Sequence, residues 1–443
     1  MPSFFFDQWL SRDRWDRSVR ITVRDGLIAA IEADASPQQD DERHAIGLPG
    51  LPNLHSHAFQ RGMAGLAENA QGALDSFWTW REAMYRFVDR ITPDDLRDIA
   101  AMAQVEMLEA GFTRVGEFHY LHHATDGTPY PDRAAMAGAL AAAAGETGIG
   151  LTLLPVFYAQ SGFGGAVPTE GQRRFVNNRD SFARLLEDSA AAIAVLPDAV
   201  LGIAPHSLRA VSPDDLAALP TMTAGPIHIH VAEQVKEVDD CVSWSGARPV
   251  EWLLDHAPVD DRWCLVHATH MTAQETERAA RTGAVAGLCP ITEANLGDGI
   301  FPAVAWQAAG GRFGIGSDSN VRIDATEEFR LLDYGQRLTR GVRNPLAQNG
   351  SSGGILYRTA LAGGAQALGV VGDAADFLTL DPGHPSLVGR DGDALLDALL
   401  FSAGQSAIDG VWRRGKRVVA GGRHVARDVI ATRYADTLAR LIA

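Results

Sequence analysis

Cysteine is scarce in this chain. Its 443 residues include three cysteines, Cys241, Cys264 and Cys289, and no two of them form a CxxC pair. An odd number at such wide spacing gives little support to a disulfide framework or to a thiolate metal site. A reducing compartment fits this pattern best, so we expect a cytoplasmic protein.

Long apolar runs are also missing. The N-terminal segment MPSFFFDQWLSRDRW meets a charged residue after six residues, too soon for the hydrophobic core of a signal peptide. No stretch reaches the roughly 18 uninterrupted apolar residues of a membrane-spanning helix. We therefore expect neither export nor membrane anchoring.

Basic residues are outnumbered by acidic ones. The chain has 39 lysines and arginines against 55 aspartates and glutamates, a formal net charge of -16 at pH 7. Such a surface repels phosphate backbones and anionic lipid headgroups, so we expect no nucleic-acid or membrane partner. Only Lys236 and Lys416 are lysines.

The rest of the composition is ordinary for a globular protein. Hydrophobic residues make up 46% and charged residues 21% of the chain, which argues against disorder and against a disulfide-stapled miniprotein. The length corresponds to about three average domains, or to one large barrel with an accessory module.

Eight short apolar runs alternate with helix-like segments. This rhythm predicts an α/β fold, a (β/α)8 TIM barrel. The candidate strands are 48–55, 113–120, 150–158, 200–206, 226–233, 263–267, 284–290 and 312–318. Three helices between them carry start signals: Thr92 with Pro93 and Asp95, Ser212 with Pro213 and Asp215, and Thr272 with Glu275.

The two chain ends differ from the middle. Residues 17–33 alternate around a turn at Asp25 and Gly26, and residues 374–424 repeat this hairpin style. We expect both ends to build one small β-sandwich domain, closed by an amphipathic C-terminal helix. The predicted division is 1–48 and 373–443 for the small domain and 49–372 for the barrel. Two long loops, 59–91 and 159–180, are candidate lids or plain insertions.

Polar residues end several of the predicted strands. His55 and His57 end the first, His230 and Glu233 the fifth, His267 the sixth and Asp318 the eighth. The C-terminal strand ends of such a barrel share one rim, where active sites lie. Three histidines and a carboxylate there form a ligand set suited to zinc or iron.

Each of these residues has a plainer reading. An isolated HxH pair is a weak metal signal, and a histidine ending a buried strand is more often a hydrogen-bonded structural residue. The joint placement at several strand ends favours a metal site. His228 lies deeper on the strand of His230, and we read it as interior packing.

A metal at this rim predicts hydrolysis. A divalent ion lowers the pKa of bound water from about 15.7 to near 7 and supplies hydroxide at neutral pH. Glu233 can carry a proton to a leaving nitrogen, His267 can polarise the electrophile, and Asp318 can accept a proton from the water. The fourth strand ends in Ala204, Pro205 and His206, without the lysine of two-metal barrels, so a single metal is favoured.

Several segments resemble the amidohydrolase superfamily. They are PGLPNLHSH at 49–57, HVAE at 230–233, HATH at 267–270 and GSDSN at 316–320. The segments HSHAFQRGMAG at 55–65, EFHYLHH at 117–123, APHSLRAV at 204–211 and GSDSNVRIDATEEFRLLDYGQR at 316–337 further resemble the formimidoylglutamate deiminase family.

The resemblance implies hydrolysis of N-formimino-L-glutamate to N-formyl-L-glutamate and ammonia, and a homodimer. It assigns one zinc ion to His55, His57, His230 and Asp318, proton transfer to Glu233, and a place beside the reacting carbon to His267. The substrate contacts that it implies are Gln60, Arg81, Tyr120, His206 and Arg209.

The arginines give this specificity a physical basis. Arg209 follows the fourth strand, and Arg81 lies in the first long loop. Arginine pairs with carboxylates through a planar fork that stays charged at any working pH, so the two residues favour a small dianion. Each alone could equally be a surface residue.

Two other functions stay open. A related deaminase of an aromatic ring, such as guanine, would use stacking residues, and Trp78 and Trp80 are candidates. A non-catalytic scaffold on the same barrel has no need of a complete ligand set, and the complete set argues against it.

Overall fold

The protein is described from a computed structural model, which covers residues 1–68, 77–348 and 350–442. Its strands are β1 (Ser3–Leu10), β2 (Trp15–Arg24), β3 (Leu27–Glu32), β4 (Glu42–Pro49), β5 (Leu51–Ser56), β6 (Phe112–His119), β7 (Gly150–Phe157), β8 (Val200–Leu201), β9 (Ala204–Pro205), β10 (Ile227–Val231), β11 (Trp263–His267), β12 (Val285–Leu288), β13 (Arg312–Ile315), β14 (Phe377–Leu380), β15 (Ile408–Arg413), β16 (Lys416–Ala420) and β17 (Arg423–His424).

The α-helices are α1 (Phe77–Val88), α2 (Pro93–Glu109), α3 (Ala135–Thr147), α4 (Arg179–Ile193), α5 (Pro213–Ala218), α6 (Val235–Ser245), α7 (Pro249–His256), α8 (Ala273–Arg281), α9 (Pro290–Leu296), α10 (Ala303–Ala308), α11 (Ala325–Arg340), α12 (Ser352–Ala367), α13 (Asp393–Ala398) and α14 (Arg427–Ile442). Short 3-10 helices include Ala58–Met63 and Glu170–Gln172. Within the described residues, no helix is long and apolar enough to cross a membrane.

Parallel strands form the predicted barrel. The order around it is β10, β11, β12, β13, β5, β6, β7 and β8, and β9 also pairs with β7. Two isolated parallel bridges, Ile203 with Ile227 and Ser207 with His230, connect the edge formed by β8 and β9 to β10. The sheet therefore closes on itself. The barrel prediction is confirmed, with its fourth position divided between β8 and β9.

Two predictions about the first barrel unit need correction. The apolar run 48–55 is not one strand, because β4 ends at Pro49 in the other sheet and β5 starts at Leu51. An added Cβ on the intervening Gly50 would lie 2.1 Å from Thr113, so the chain changes sheets at a residue without a side chain. Arg81 is not in a loop, because it belongs to α1 within the segment 59–91.

The two chain ends join in one small β domain, as expected. Its strands form a mixed sheet in the order β17, β16, β15, β14, β4, β1, β2, β3. Aromatic side chains fill its core, and the rings of Phe377 and Trp412 stack at 5.0 Å. The C-terminal helix α14 buries Ile430 and Leu441, with Tyr434 and Leu438 partly buried beside them. The division of domains at residues 48 and 373 stays a prediction.

The predicted helix starts are present. The side chain of Thr92 accepts a hydrogen bond from the backbone of Asp95, whose carboxylate accepts from the backbone of Thr92. This reciprocal capping box satisfies two N–H groups at the start of α2. Thr272 and Glu275 form the same capping box at the start of α8, and the side chain of Ser212 accepts from the backbone N–H of Asp215 at the start of α5.

Candidate active site

Four side chains that are distant in sequence meet at the rim of the barrel. His55 lies on β5 and His57 directly follows that strand, while His230 lies on β10 and Asp318 follows β13. The Nε2 atom of His55 lies 3.2 Å from Nε2 of His57 and 3.1 Å from Nε2 of His230. Oδ1 of Asp318 lies 3.4 Å from Nε2 of His55 and 3.3 Å from Nε2 of His57. All four residues are buried.

Outer hydrogen bonds fix the ring protons of two of these histidines. Nδ1 of His57 lies 3.0 Å from the carbonyl of Phe118, and Nδ1 of His230 lies 3.2 Å from the carbonyl of His206. A carbonyl only accepts, so each Nδ1 carries the proton and each Nε2 offers a lone pair. Two lone pairs and a carboxylate oxygen thus converge around Nε2 of His55.

This donor set fits one divalent cation. Tetrahedral coordination at about 2.0–2.1 Å places neighbouring ligand atoms about 3.3 Å apart, close to the distances found here. Burial lowers the pKa of His57 to about 3, and the neighbouring His55 adds to this effect. Burial also lowers the pKa of His55 and His230. Neutral imidazoles are the form that binds a metal.

The backbone at the strand ends is bent to aim these groups. Asp318 has a φ of 44° and His267 a φ of 65°, both in the left-handed region that side chains disfavour. The N–H of His57 donates to the carbonyl of Asp318, and the N–H of Asp318 donates to the carbonyl of His55. These reciprocal bonds hold the strained turn, and such strain is typical of functional sites.

Glu233 and His267 lie beside the metal donors. Nε2 of His267 is 3.7 Å from Oε1 of Glu233 and 3.8 Å from Oδ2 of Asp318. Its Nδ1 lies 3.3 Å from Oε1 of Glu293. Burial alone would lower the pKa of His267, but the carboxylates of Glu233, Glu293 and Asp318 outweigh it and raise the pKa to about 10. Burial raises the pKa of Glu233, and His267 and Arg209 oppose that rise.

The candidate substrate residues surround one cavity above the four donors. The cavity opens to solvent, and its empty space including the open mouth is about 690 Å³. Its lining includes all of the expected contacts: Gln60, Arg81, Tyr120, His206 and Arg209. Glu233, His267, His57, His230 and Asp318 line it as well, and His55 lies behind them.

Three of the expected contacts are already oriented by neighbours. The amide nitrogen of Gln60 donates to the hydroxyl of Tyr120 at 3.0 Å. Arg209 faces two carboxylates, 3.7 Å from Glu233 and 3.9 Å from Glu237. Burial lowers the pKa of Arg209, but Glu237 and Glu233 more than offset this, so the guanidinium stays charged.

Sequence reasoning missed several residues of the site. Glu237 is fully buried and accepts hydrogen bonds from the backbone N–H groups of Ala232 and Glu233 at 3.3 and 3.1 Å. Its position in the first turn of α6, four residues after Glu233, was a usable signal. Tyr158 directly follows β7, so the rule that selects strand ends could have found it. Tyr85 lies on α1, which no strand-end rule reaches.

The structure tests the predictions made for His228 and Trp80 but not the one made for Trp78. Nε2 of His228 hydrogen-bonds to the carbonyl of Ala367 at 2.7 Å, which confirms its reading as interior packing. Trp80 lines the cavity. The side chain of Trp78 lies outside the described residues.

Comparisons with known proteins agree with this fold and define the family of the chain. The model of the "Amidohydrolase family" matches residues 46–418. The chain belongs to the amidohydrolase family. The model of "Formimidoylglutamate deiminase HutF, N-terminal domain" matches residues 4–45.

Full-length relatives narrow the assignment. The chain is 49% identical over 455 residues to the formimidoylglutamate deiminase of Pseudomonas aeruginosa, with 100% of each chain covered. Within the amidohydrolases, it therefore belongs with the formimidoylglutamate deiminases. A crystal structure of an amidohydrolase from Brucella melitensis is 52% identical and superposes with a TM-score of 0.97 over 100% of both chains. An 8-oxoguanine deaminase of Pseudomonas aeruginosa is 27% identical over 430 residues, covering 92% of this chain and 89% of the relative.

Proposed function

We propose that this chain hydrolyses N-formimino-L-glutamate to N-formyl-L-glutamate and ammonia. One divalent metal ion would be held by His55, His57, His230 and Asp318. The observation that carries the proposal is that Arg81 and Arg209 line the wall of a cavity whose floor is formed by three of these donors, with His55 directly behind them. A site with this floor and this wall suits a small dianion with a hydrolysable C–N bond.

The reaction needs two proton transfers. The oxygen of water bonds to the formimino carbon, the bond from that carbon to the terminal nitrogen breaks, and both protons of the water leave with ammonia. A metal bound at the four donors would lower the pKa of water to near 7 and supply the nucleophile at neutral pH.

Three residues handle the protons of the reaction: Glu233 and Asp318 transfer them, and His267 donates a hydrogen bond. Glu233 takes one proton from the attacking water and delivers it to the leaving nitrogen, as its place beside His267 and Asp318 allows. Asp318 accepts the other proton and passes it on to the same nitrogen, so that ammonia leaves with both protons of the water. His267 is held protonated by three carboxylates and can donate a hydrogen bond to the reacting group, which polarises the formimino carbon.

The substrate-binding roles follow from charge and position. Arg81 and Arg209 bind the two carboxylates through charged N–H donors. Gln60, Tyr120 and His206 line the same cavity and offer uncharged polar contacts, since burial holds the pKa of His206 well below its usual value.

The finer assignments belong to the same proposal. We assign zinc to the site on its nitrogen-rich donor set, with iron as the alternative that shares these ligands. We keep the expectations of a cytoplasmic location and a homodimer. The three cysteines are free and buried, which suits a reducing compartment.

A deaminase of an aromatic heterocycle is the second candidate. Trp80 in the cavity wall and the 8-oxoguanine deaminase relative favour it. The test is an ammonia-release assay of metal-loaded protein with N-formimino-L-glutamate, guanine and adenosine side by side. We expect ammonia from the first compound only. Release from guanine or adenosine with none from N-formimino-L-glutamate would overturn the specificity and leave the metal-dependent mechanism intact.

The scaffold alternative has its own test. It predicts no bound metal by elemental analysis and no change in partner binding for His55→Ala. We expect the opposite, one metal per chain that is lost in this variant.

A further inference from the structure

Two tyrosines outside the expected contacts line the cavity beside the arginines. Tyr85 projects from α1 and Tyr158 follows β7. The ring of Tyr158 lies 4.8 Å from the ring of His206. The guanidinium carbon of Arg81 lies 5.7 Å from the ring centre of Tyr85, within range of a cation–π contact. Any ligand that reaches Arg81 therefore comes close to this tyrosine pair.

Gln172 fixes the direction of the hydrogen bonds behind the pair. Its Oε1 accepts from the backbone N–H of Thr169 at 2.8 Å, so its amide nitrogen must point to the other side. That nitrogen donates to the hydroxyl of Tyr158 at 2.7 Å and to the hydroxyl of Tyr85 at 3.2 Å. Both phenol oxygens are thus acceptors toward Gln172.

The remaining protons of the pair determine what it can bind. Each hydroxyl keeps one proton to donate. The two hydroxyls can form at most one hydrogen bond with each other, so at least one of the two protons stays available for a group in the cavity. Burial and Tyr85 raise the pKa of Tyr158, although Arg209 and Arg81 oppose this. Tyr158 therefore acts as a neutral donor.

The segment that carries Gln172 is fixed to the protein from several sides. Arg174 is fully buried and donates to the carbonyls of His123 at 2.8 Å and Ile91 at 2.9 Å, and also to the carbonyl of Val88 at the end of α1. A cation at the end of a helix is favourable for the helix dipole. An added Cβ on Gly171 would lie 2.9 Å from the ring of Tyr85, so the segment and α1 are in close contact.

We propose that Tyr85 and Tyr158, oriented by Gln172, are specificity-determining residues that donate a hydrogen bond to one carboxylate of the substrate. This inference rests on the proposed function. The arginines supply charge, and the tyrosine pair supplies a directed neutral donor at the same wall. The pair selects a carboxylate oxygen, which accepts, over an N–H group of a heterocycle or a neutral amidine, which donates.

The test compares substrates with one carboxylate removed. Steady-state kinetics are measured for the double variant Tyr85→Phe/Tyr158→Phe with N-formimino-L-glutamate, N-formimino-4-aminobutyrate and N-formimino-L-2-aminobutyrate. Tyr334→Phe, an exposed tyrosine on α11, is the matched control. We expect the double variant to raise KM for N-formimino-L-glutamate about 10- to 100-fold, the effect of a lost hydrogen bond to a charged group, with kcat within about threefold.

The truncated substrates identify the carboxylate. One of the two truncated substrates lacks the carboxylate that the tyrosine pair binds. For that substrate, the KM of the double variant should agree with the KM of the unaltered protein within about twofold. An equal increase for all three substrates, or no increase for any, would overturn the inference. If the double variant does not fold, the single variants replace it, and at least one must raise KM about tenfold. Unaltered protein that releases no ammonia from N-formimino-L-glutamate contradicts the proposed function itself, whereas active protein with unaffected tyrosine variants contradicts only this inference.

Discussion

At the scale of single residues, proton placement decides what the site can do. The carbonyls of Phe118 and His206 hold the protons of His57 and His230 on the outer ring nitrogens, which leaves the inner nitrogens as donors to a cation. His267 is in the opposite state, because three carboxylates keep its charged form. Histidines of one cluster therefore differ in protonation state, because backbone carbonyls contact the outer nitrogens of His57 and His230 whereas carboxylates surround His267.

Glu233→Gln separates metal binding from turnover. We expect the variant to keep its metal, because Glu233 is not among the four donors, and to lose about 10²- to 10⁴-fold in kcat, the usual contribution of a general acid or base. Metal content and ammonia release are measured on the same samples. Glu277→Gln, on the exposed side of α8, is the control. Unchanged turnover would remove Glu233 from the mechanism.

Glu117 makes stability depend on pH. Burial raises its pKa to about 8, although the N–H of Ala58 and the hydroxyl of Ser56 oppose the rise. An acid whose pKa is higher in the folded state than its usual value of 4.5 contributes stability that is full below pH 4.5 and is lost as the pH rises through 8. Glu117→Gln copies the protonated form and should avoid this loss.

Denaturant unfolding of the metal-loaded proteins at pH 5, 6.5 and 8 measures this difference. We expect the free energy of unfolding of the glutamine variant to increase relative to that of the unaltered protein as the pH rises, by up to about 1.4 kcal/mol per pH unit. A difference in the free energy of unfolding that stays constant with pH would show that Glu117 is ionised in the folded protein.

At the scale of elements, glycines set how closely helices approach the barrel. An added Cβ on Gly363 of α12 would lie 2.1 Å from the carbonyl oxygen of Phe313 on β13. Backbone atoms cannot move aside as a flexible side chain can, so this contact requires glycine. Gly138 of α3 has nothing within 4 Å of the same added atom.

The two glycines therefore predict opposite effects of alanine. Gly363→Ala should lower the free energy of unfolding by about 1–3 kcal/mol or more through overpacking. Gly138→Ala should raise it by about 0.5–1 kcal/mol, because alanine loses less conformational entropy in a helix. Thermal unfolding of both variants measures these effects. A shift of Tm in the same direction for Gly363→Ala and Gly138→Ala would contradict the packing argument.

Sequence patterns predicted the barrel elements better than the walls of the site. Parallel strands place their C-terminal ends on one rim, so the residues that end them could be identified without coordinates, as for His230 and Asp318. Tyr85 reaches the cavity, and Gln172 reaches the tyrosine hydroxyls behind the cavity wall, only through tertiary contacts of α1 and of the segment after β7. No local period marks such contacts. The change of sheet at Gly50 was hidden for a similar reason, since the apolar run continues through it.

At the scale of the whole molecule, buried ion pairs connect the barrel to the small sheet. Asp198 accepts from Arg114 of β6 at 2.6 Å and from Arg413 of β15 at 2.8 Å. Arg413 also pairs with Asp376, next to β14. A charge left without its partner at such a depth is costly, so these pairs favour one relative position of the two sheets.

The central claim is that four distant side chains hold one cation that makes the chain a deiminase. The most direct test is a titration of metal-free protein with zinc, from zero to two equivalents per chain, with the initial rate of ammonia release from N-formimino-L-glutamate as the readout. The account predicts a rate that rises linearly to one equivalent and then stays constant. No ammonia at any ratio, or a rate that keeps rising to two equivalents, would contradict it.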